Sequence, residues 1–389
     1  MGLLFGFKYV AFFTRGVNSV LGTLDVSHSF PVLHVLLPVG ISFYTFQILG
    51  YSIDVSRGTK EAERHLGRFA VYVAFFPQLV AGPIERSTTL LPQLRKRVEF
   101  QPGRLYEGLE LVLLGLFKKI VVADTLAIYV DAVYNNSVYH NGASLILATV
   151  FFAIQIYCDF SGYSDIARGS ARVLGIDLVM NFKNPYFSKT VTEFWRRWHV
   201  SLSAWIMDYV YTPIALNRRD WGTWGVMYAV IVTFALVGLW HGANWNYVVF
   251  GLLHGMILCV ELATRKTRKR VERSVPNAVF TMLCVCYTFS FWCLSLVFFR
   301  ARSTSEALFI IQKMITVDTF DFFFDSILYP SFLVVGLFCV MDYLDNKNAF
   351  WEKIGTFPPA IRWVVSIVFI FSITTLGVNQ GVQFIYFQF

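Results

Sequence analysis

Apolar runs recur along the chain, separated by short polar links that are mostly basic. A hydrocarbon core takes about 20 residues of helix to cross, and residues 30–51 meet that length. Residues 226–240 and 245–262 predict two further spans joined only by His-Gly-Ala-Asn, with others near 279–299, 328–341 and 363–377. Residues 5–24 predict a short or incomplete span, because Lys8 and Arg15 interrupt them. The run 69–82 is too short to cross comfortably and stops at Pro83, which predicts a re-entrant or tilted segment. Residues 105–133 predict a long helix that bends or lines something wet, since Lys118 and Lys119 sit near its middle. Residues 144–158 resume the membrane, and 159–165 then leave it or line a cavity. The chain closes on an aromatic tail, 384–389. With no internal repeat or linker, residues 1–389 read as one domain.

Composition agrees with this pattern. The 389 residues are 56% hydrophobic and 15% charged, with a mean hydropathy of +0.55. Soluble domains carry about 25% charged residues, so the chain reads as an all-α, multi-pass membrane protein. The formal charge of +8 falls in short loops between spans, where the positive-inside bias places it, and forms no stripe for nucleic acid. The densest cluster, Arg265, Lys266, Arg268, Lys269, Arg270 and Arg273, marks a cytoplasmic loop and puts the 240–245 hairpin towards the far side. The six cysteines lie in or beside apolar stretches with no spacing for bridges or zinc. No cleavable leader is evident, since no small-residue site follows residues 2–13.

The chemistry concentrates in residues 190–245. Thr190-Val-Thr-Glu193 has capping-box form and predicts a helix start. On one helix, Trp195, Trp198, Leu202, Trp205, Ile206 and Tyr209 would share a face, with Arg196 and His199 at its edge and Asp208 beyond. Two readings stand open: an interfacial amphipathic helix, or the mouth of a cavity for an anionic substrate, where the planar fork of Arg196 suits phosphate. His241 closes an apolar run, and an ionisable group in a span is a functional-site candidate. Gly238, one turn before it, leaves room on that face for a substrate atom. Neutral imidazole can accept and return a proton near pH 7, as an acyl-transfer base must. Ser161 lacks a nucleophile elbow, Cys158 lacks a cation beside it, and His140 and His254 have no companion motif.

Six motifs carry a resemblance. They are Gln78-Leu-Val-Ala-Gly-Pro-Ile-Glu-Arg86, Tyr157-Cys-Asp-Phe-Ser-Gly-Tyr-Ser-Asp165, Asn184-Pro-Tyr186, Thr192-Glu-Phe-Trp-Arg-Arg-Trp-His-Val-Ser-Leu-Ser-Ala-Trp205, Asp208-Tyr-Val-Tyr-Thr-Pro213 and Gly238-Leu-Trp-His-Gly-Ala-Asn-Trp245. In this order they resemble the membrane-bound O-acyltransferases, in the bacterial branch of the alginate O-acetyltransferase type whose relatives acylate peptidoglycan and teichoic acids. The resemblance implies a helical bundle around a funnel, with re-entrant and interfacial helices. It places the family's invariant histidine on His241 and its second on His199. Trp195, Arg196, Trp198, Asp208 and Tyr209 fall on positions that shape the cytoplasmic mouth, and Trp240 and Asn244 flank His241 as substrate contacts. Met207 and the pair Ile214-Ala215 depart from the family pattern, and relatives carry further helices before the stretch matching residues 5–13.

The activity implied is transfer of an acyl group, acetyl first, to a hydroxyl at the opposite face, for polysaccharide O-acetylation. The donor would be acetyl-CoA or an acyl-carrier-protein thioester, used as substrate, with no bound cofactor and no metal. His241 would act as general base, and His199 would position the thioester or polarise its carbonyl. The expected partners are the bilayer of the inner or plasma membrane, the donor, and a periplasmic protein that passes the acetyl group to the polysaccharide. The alternative is a proton-coupled transporter or lipid flippase using the two histidines as a relay, for which Lys118 and Lys119 are the intramembrane charges.

Overall fold

The computed structural model describes residues 6, 9–26, 29–32, 40–316, 319, 322, 326–348, 350–378 and 383–385. Among them regular structure is entirely helical, and six helices are long and apolar enough to cross a membrane. Five lie where the apolar runs predict: Thr223–His241, Trp245–Ala263, Asn277–Arg300, Leu328–Asn348 and Pro359–Leu376.

The sixth is the central post. Gly142–Val173 is one helix of 32 residues, capped by the Asn141 side chain on the Ser144 amide. It therefore runs straight through 159–165, where an exit from the membrane was one of two expectations. The physical reason lies on the helix beside it. Lys118 Nζ sits 2.7 Å from Asp165 Oδ2, and Lys119 Nζ sits 2.7 Å from both Asp159 Oδ1 and Asp124 Oδ1. Buried charges persist when paired, so each carboxylate stays inside. Pro102–Leu116 passes into a π-helical segment, Phe117–Ala123, before continuing as Asp124–Asn135. The helix predicted to bend or to line something wet thus carries a π-helical segment, a common device at functional sites; its lysines meet carboxylates, and Lys118 also lines a polar cavity.

Glycines bring these two helices together. A Cβ on Gly108 would sit 2.7 Å from the Gly169 carbonyl oxygen, and one on Gly115 would sit 2.4 Å from that of Gly162. Both pairs are seven residues apart, the spacing that returns to the same helix face. Outside this core, Leu66–Val73 has 8 residues and cannot cross, as the shortness of 69–82 predicts. Of the run 5–24, Val10–Thr23 is a helix among the described residues, and residues 5, 7 and 8 lie outside them. The helix predicted at 30–51 is described from Ile41 to Ser56; residues 30–32 and 40 are not helical, and residues 33–39, like tail residues 386–389, lie outside the described residues.

Helix direction sets the two ends of the bundle. Asn244 Nδ2 reaches the Arg302 carbonyl at 3.5 Å, and Arg302 Nη2 reaches that of Asn135 at 3.2 Å. The 240–245 hairpin and the start of the Gly142–Val173 helix therefore share one end. Trp245–Ala263 runs from that end to the basic helix Arg265–Ser274, so Val173 and the basic helix share the other.

Candidate active site

The helix predicted to run unbroken from Thr190 divides at its histidine. Val191–Arg197 and Val200–Ile206 are separate helices, and His199 between them has φ 43° and ψ 55°. A left-handed backbone is rare for a residue with a Cβ and marks a position held by its surroundings. Asn181 does the holding. Its carbonyl accepts from the Val200 amide at 2.9 Å, and its Oδ1 accepts from the Ser201 amide at 3.2 Å and the Ser201 hydroxyl at 2.9 Å. The first helix starts where the capping box predicts, Thr190 Oγ1 accepting from the Glu193 amide at 2.9 Å, while Glu193 Oε2 accepts from the Lys189 amide, one residue before the cap, at 2.9 Å. Glu261 adds a second cap, accepting from the Val191 and Thr192 amides at 2.6 and 3.0 Å.

His199 is 1% exposed. Its ring stands edge-on to Phe160 at 4.7 Å and faces Phe43 and Trp240 at 6.4 Å each. Nδ1 is 3.1 Å from Asn181 Oδ1, and Nε2 meets no hydrogen-bond partner among the described residues. Burial, and then the facing His241, hold this imidazole well below its ordinary pKa, so it is neutral at pH 7. His241 is the last residue of its helix and partly exposed. Its ring contacts Trp240 at 4.8 Å, Phe299 at 5.2 Å and Phe250 at 5.9 Å. Trp240 is thus flanked by both imidazoles.

A polar cavity of about 660 Å³ opens towards the end that carries the basic helix. Its wall runs from exposed Lys183 and Asn346 past Arg168, Arg172 and Arg197 to buried Lys118, Asp165 and Asn181. Asn181 therefore borders the cavity and holds His199. The cavity reaches Asn181 and Phe182, one hydrogen bond short of His199, and His241 ends its helix at the hairpin end.

Comparison with known proteins gives this arrangement a family. Residues 63–299 match MBOAT, the membrane-bound O-acyltransferase family. The chain belongs to that family. It is accordingly an O-acyltransferase and a multi-pass membrane protein. It is 33% identical over 416 residues to a "probable alginate O-acetylase" of Pseudomonas putida, covering 100% of this chain and 82% of that protein. A protein of the same description from Azotobacter vinelandii is 42% identical over 259 residues, 67% of this chain and 51% of that one. A peptidoglycan O-acetyltransferase of Helicobacter pylori is 33% identical over 341 residues, 81% of this chain and 63% of that protein. The chain thus spans about half the length of the Azotobacter relative it matches.

The family motifs do not all meet at one place. His199, Trp240 and His241 come together. Trp195 and Trp198 instead enter the core, 8% and 5% exposed. Trp195 donates its indole N–H to His254 Nδ1 at 3.2 Å, and Trp198 packs between Phe182 at 5.0 Å and Trp292 at 4.8 Å. On one straight helix they would share a face with Trp205 and Tyr209; the turn at His199 rotates Val191–Arg197 away from that face. Arg196 is exposed on that first helix. Asp208 pairs with Arg86 at 2.7 Å, and the Tyr209 hydroxyl donates to Asp54 Oδ1 at 2.8 Å while accepting from Arg86 at 3.2 Å. Burial, then the Asp54 hydrogen bond, push that phenol up to about 12. Asn244 serves as the cap of Trp245–Ala263. Gly238 makes no room for substrate: a Cβ there would sit 2.1 Å from the Tyr247 carbonyl oxygen, so the glycine admits the neighbouring backbone.

Sequence reasoning missed three residues. His254 is fully buried and also bonds Ser295 Oγ at 3.1 Å. Glu261 and Asn181 bond across 70 and 20 residues of sequence, respectively, to Val191 and Ser201. His254 and Glu261 are ionisable groups inside the predicted span 245–262, the same signal that singles out His241, whereas no local pattern marks Asn181.

Proposed function

We propose that the protein moves a short acyl group, acetyl in the first instance, from a thioester at the basic-helix side to a hydroxyl at the hairpin side. The observation that supports this best is the pair of imidazoles flanking Trp240, one behind a polar cavity and one at the opposite end of the bundle. A coenzyme's phosphates cannot enter hydrocarbon, whereas an acetyl group is small and uncharged. The donor body stays at the cavity and only its tip passes inward. His241 takes the proton of the attacking hydroxyl, the carbonyl exchanges its sulfur for oxygen, and that proton returns to the departing thiolate. General-base catalysis of this kind contributes on the order of 10² to 10⁴ in rate.

The relatives include proteins described by their alginate and peptidoglycan acetylation, which supports an extracytoplasmic polysaccharide as final acceptor, reached through a periplasmic partner. Coenzyme A and carrier-protein thioesters both suit the cavity. The relay alternative needs charged partners within the spans that connect to the histidines. Here Lys118 and Lys119 bond Asp165, Asp159 and Asp124, while His199 bonds Asn181.

The test is thioester consumption by the purified protein in detergent. The wild type should deacetylate acetyl-CoA or transfer its acetyl group, and His241→Ala should lose this activity by about 10²-fold or more. Full activity in His241→Ala removes the base assignment.

A further inference from the structure

Asn181 Oδ1 has three neighbours with hydrogen to give. The Ser201 backbone amide at 3.2 Å can only donate, which identifies the facing Asn181 atom as the carbonyl oxygen. The Ser201 hydroxyl lies 2.9 Å from the same oxygen, and Asn181 Nδ2 turns the other way, 3.4 Å from Ser164 Oγ. His199 Nδ1, 3.1 Å from that oxygen, must therefore carry its proton. In neutral imidazole one nitrogen donates and the other accepts, so Nε2 carries a lone pair. That lone pair is buried and has no partner among the described residues, inside a shell formed by Phe43, Phe160 and Trp240.

We infer that Asn181 is a positioning residue that locks His199 as the Nδ1–H tautomer, so that Nε2 accepts a hydrogen bond from the cysteamine amide N–H of the thioester donor. This deepens the acyl-transfer reading and rests on it. It also separates two roles the sequence leaves open for His199. Polarising a thioester carbonyl needs a donor, and neutral Nε2 has no hydrogen to give. Positioning the thioester needs an acceptor, which is what the geometry supplies. The cysteamine amide stands two carbons from the sulfur in coenzyme A and in carrier-protein thioesters alike, so one contact serves either source. Its N–H is the group on that arm able to satisfy a bare imidazole nitrogen close to the reacting sulfur. Phe182, whose ring meets Phe160 at 5.0 Å and which lines the cavity beside Asn181, is the side chain the arm must pass.

The titratable group facing His199 is His241, from the Thr223–His241 helix. The Ile41–Ser56 and Gly142–Val173 helices present Phe43 and Phe160 to it, and the 181–184 loop presents the Asn181 amide. Among the described residues, nothing in this shell competes for the Nδ1 proton as Asn181 does.

The experiment compares two minimal donors, S-acetyl-N-acetylcysteamine and the analogue with ester oxygen in place of the amide N–H. Wild-type kcat/KM should fall about tenfold for the ester, the size of one hydrogen bond. Asn181→Ala frees the imidazole to change tautomer and should use both donors equally. Asn181→Asp keeps an oxygen on Nδ1–H and should restore the preference, while its charge moves the acid limb of the pH profile upward. A wild type that uses both donors equally overturns the inference, as does an Asn181→Ala enzyme that keeps the tenfold preference. Should Asn181→Ala fail to fold, the wild-type ratio together with the Asn181→Asp ratio and pH shift decides. No wild-type turnover of acetyl-CoA defeats the acyl-transfer reading itself, whereas turnover without donor preference defeats only this contact.

Discussion

The indole nitrogen of Trp195 lies 3.2 Å from Nδ1 of His254, and His254 Nε2 lies 3.1 Å from Ser295 Oγ. One buried imidazole thereby ties Val191–Arg197 to Trp245–Ala263 and Asn277–Arg300. Trp195→Phe would leave a buried acceptor without its donor, which costs about 1–3 kcal/mol. We expect a lower unfolding temperature in detergent with an unchanged donor KM. A several-fold rise in KM at unchanged stability would return Trp195 to the donor site.

Lys119 bridges two carboxylates. Lys119→Met would leave Asp124 and Asp159 buried without their cation, and removing one partner of such a group costs about 3–5 kcal/mol. Adding Asp159→Asn should recover part of the loss, because an amide carries no charge to bury. Denaturation of the single and double variants checks this; additive losses would show that the two residues are not coupled.

Gly238 and Gly336 both lie inside apolar helices but meet different neighbours. A Cβ on Gly238 would stand 2.1 Å from the Tyr247 carbonyl oxygen, whereas one on Gly336 meets nothing within 4 Å. Gly238→Ala should therefore cost about 1–3 kcal/mol by overpacking. Gly336→Ala should be neutral or gain up to about 1 kcal/mol from helix propensity. Thermal unfolding of the pair reads the difference, and equal behaviour would refute the close helix contact.

The depressed pKa of His199 gives stability a direction in pH. The folded imidazole stays neutral while the unfolded one takes up a proton below about pH 6.5. The unfolded state then binds more protons, so its contribution to stability is intact above that pH and lost as pH falls through it. The slope approaches about 1.4 kcal/mol per pH unit. His199→Gln should remove this component between pH 7 and 5. Unfolding curves across that window check it, and an unchanged slope would mean the ring is not held neutral.

Much of this protein is legible in its chain. Spans follow from apolar length, because a bilayer admits only backbone whose hydrogen bonds close within the segment, and the five predicted runs from residue 226 onwards are all helices. The basic cluster at 265–273 marks one end of the bundle by charge alone. His199 and His241 stand out because ionisable groups in apolar surroundings need a reason. What tertiary structure decided is everything that rests on partners far along the chain. No glycine or proline breaks 190–206, so local propensity predicts one helix; Asn181, outside that stretch, catches the Val200 and Ser201 amides and turns the backbone at His199. That turn buries Trp195 and Trp198 and leaves His199 at the aromatic centre. The charges at 159–165 remain inside the bundle because Lys118 and Lys119 approach from another helix. Periodicity reports which face of a helix is apolar, while the choice among distant hydrogen-bond partners is made only when helices pack.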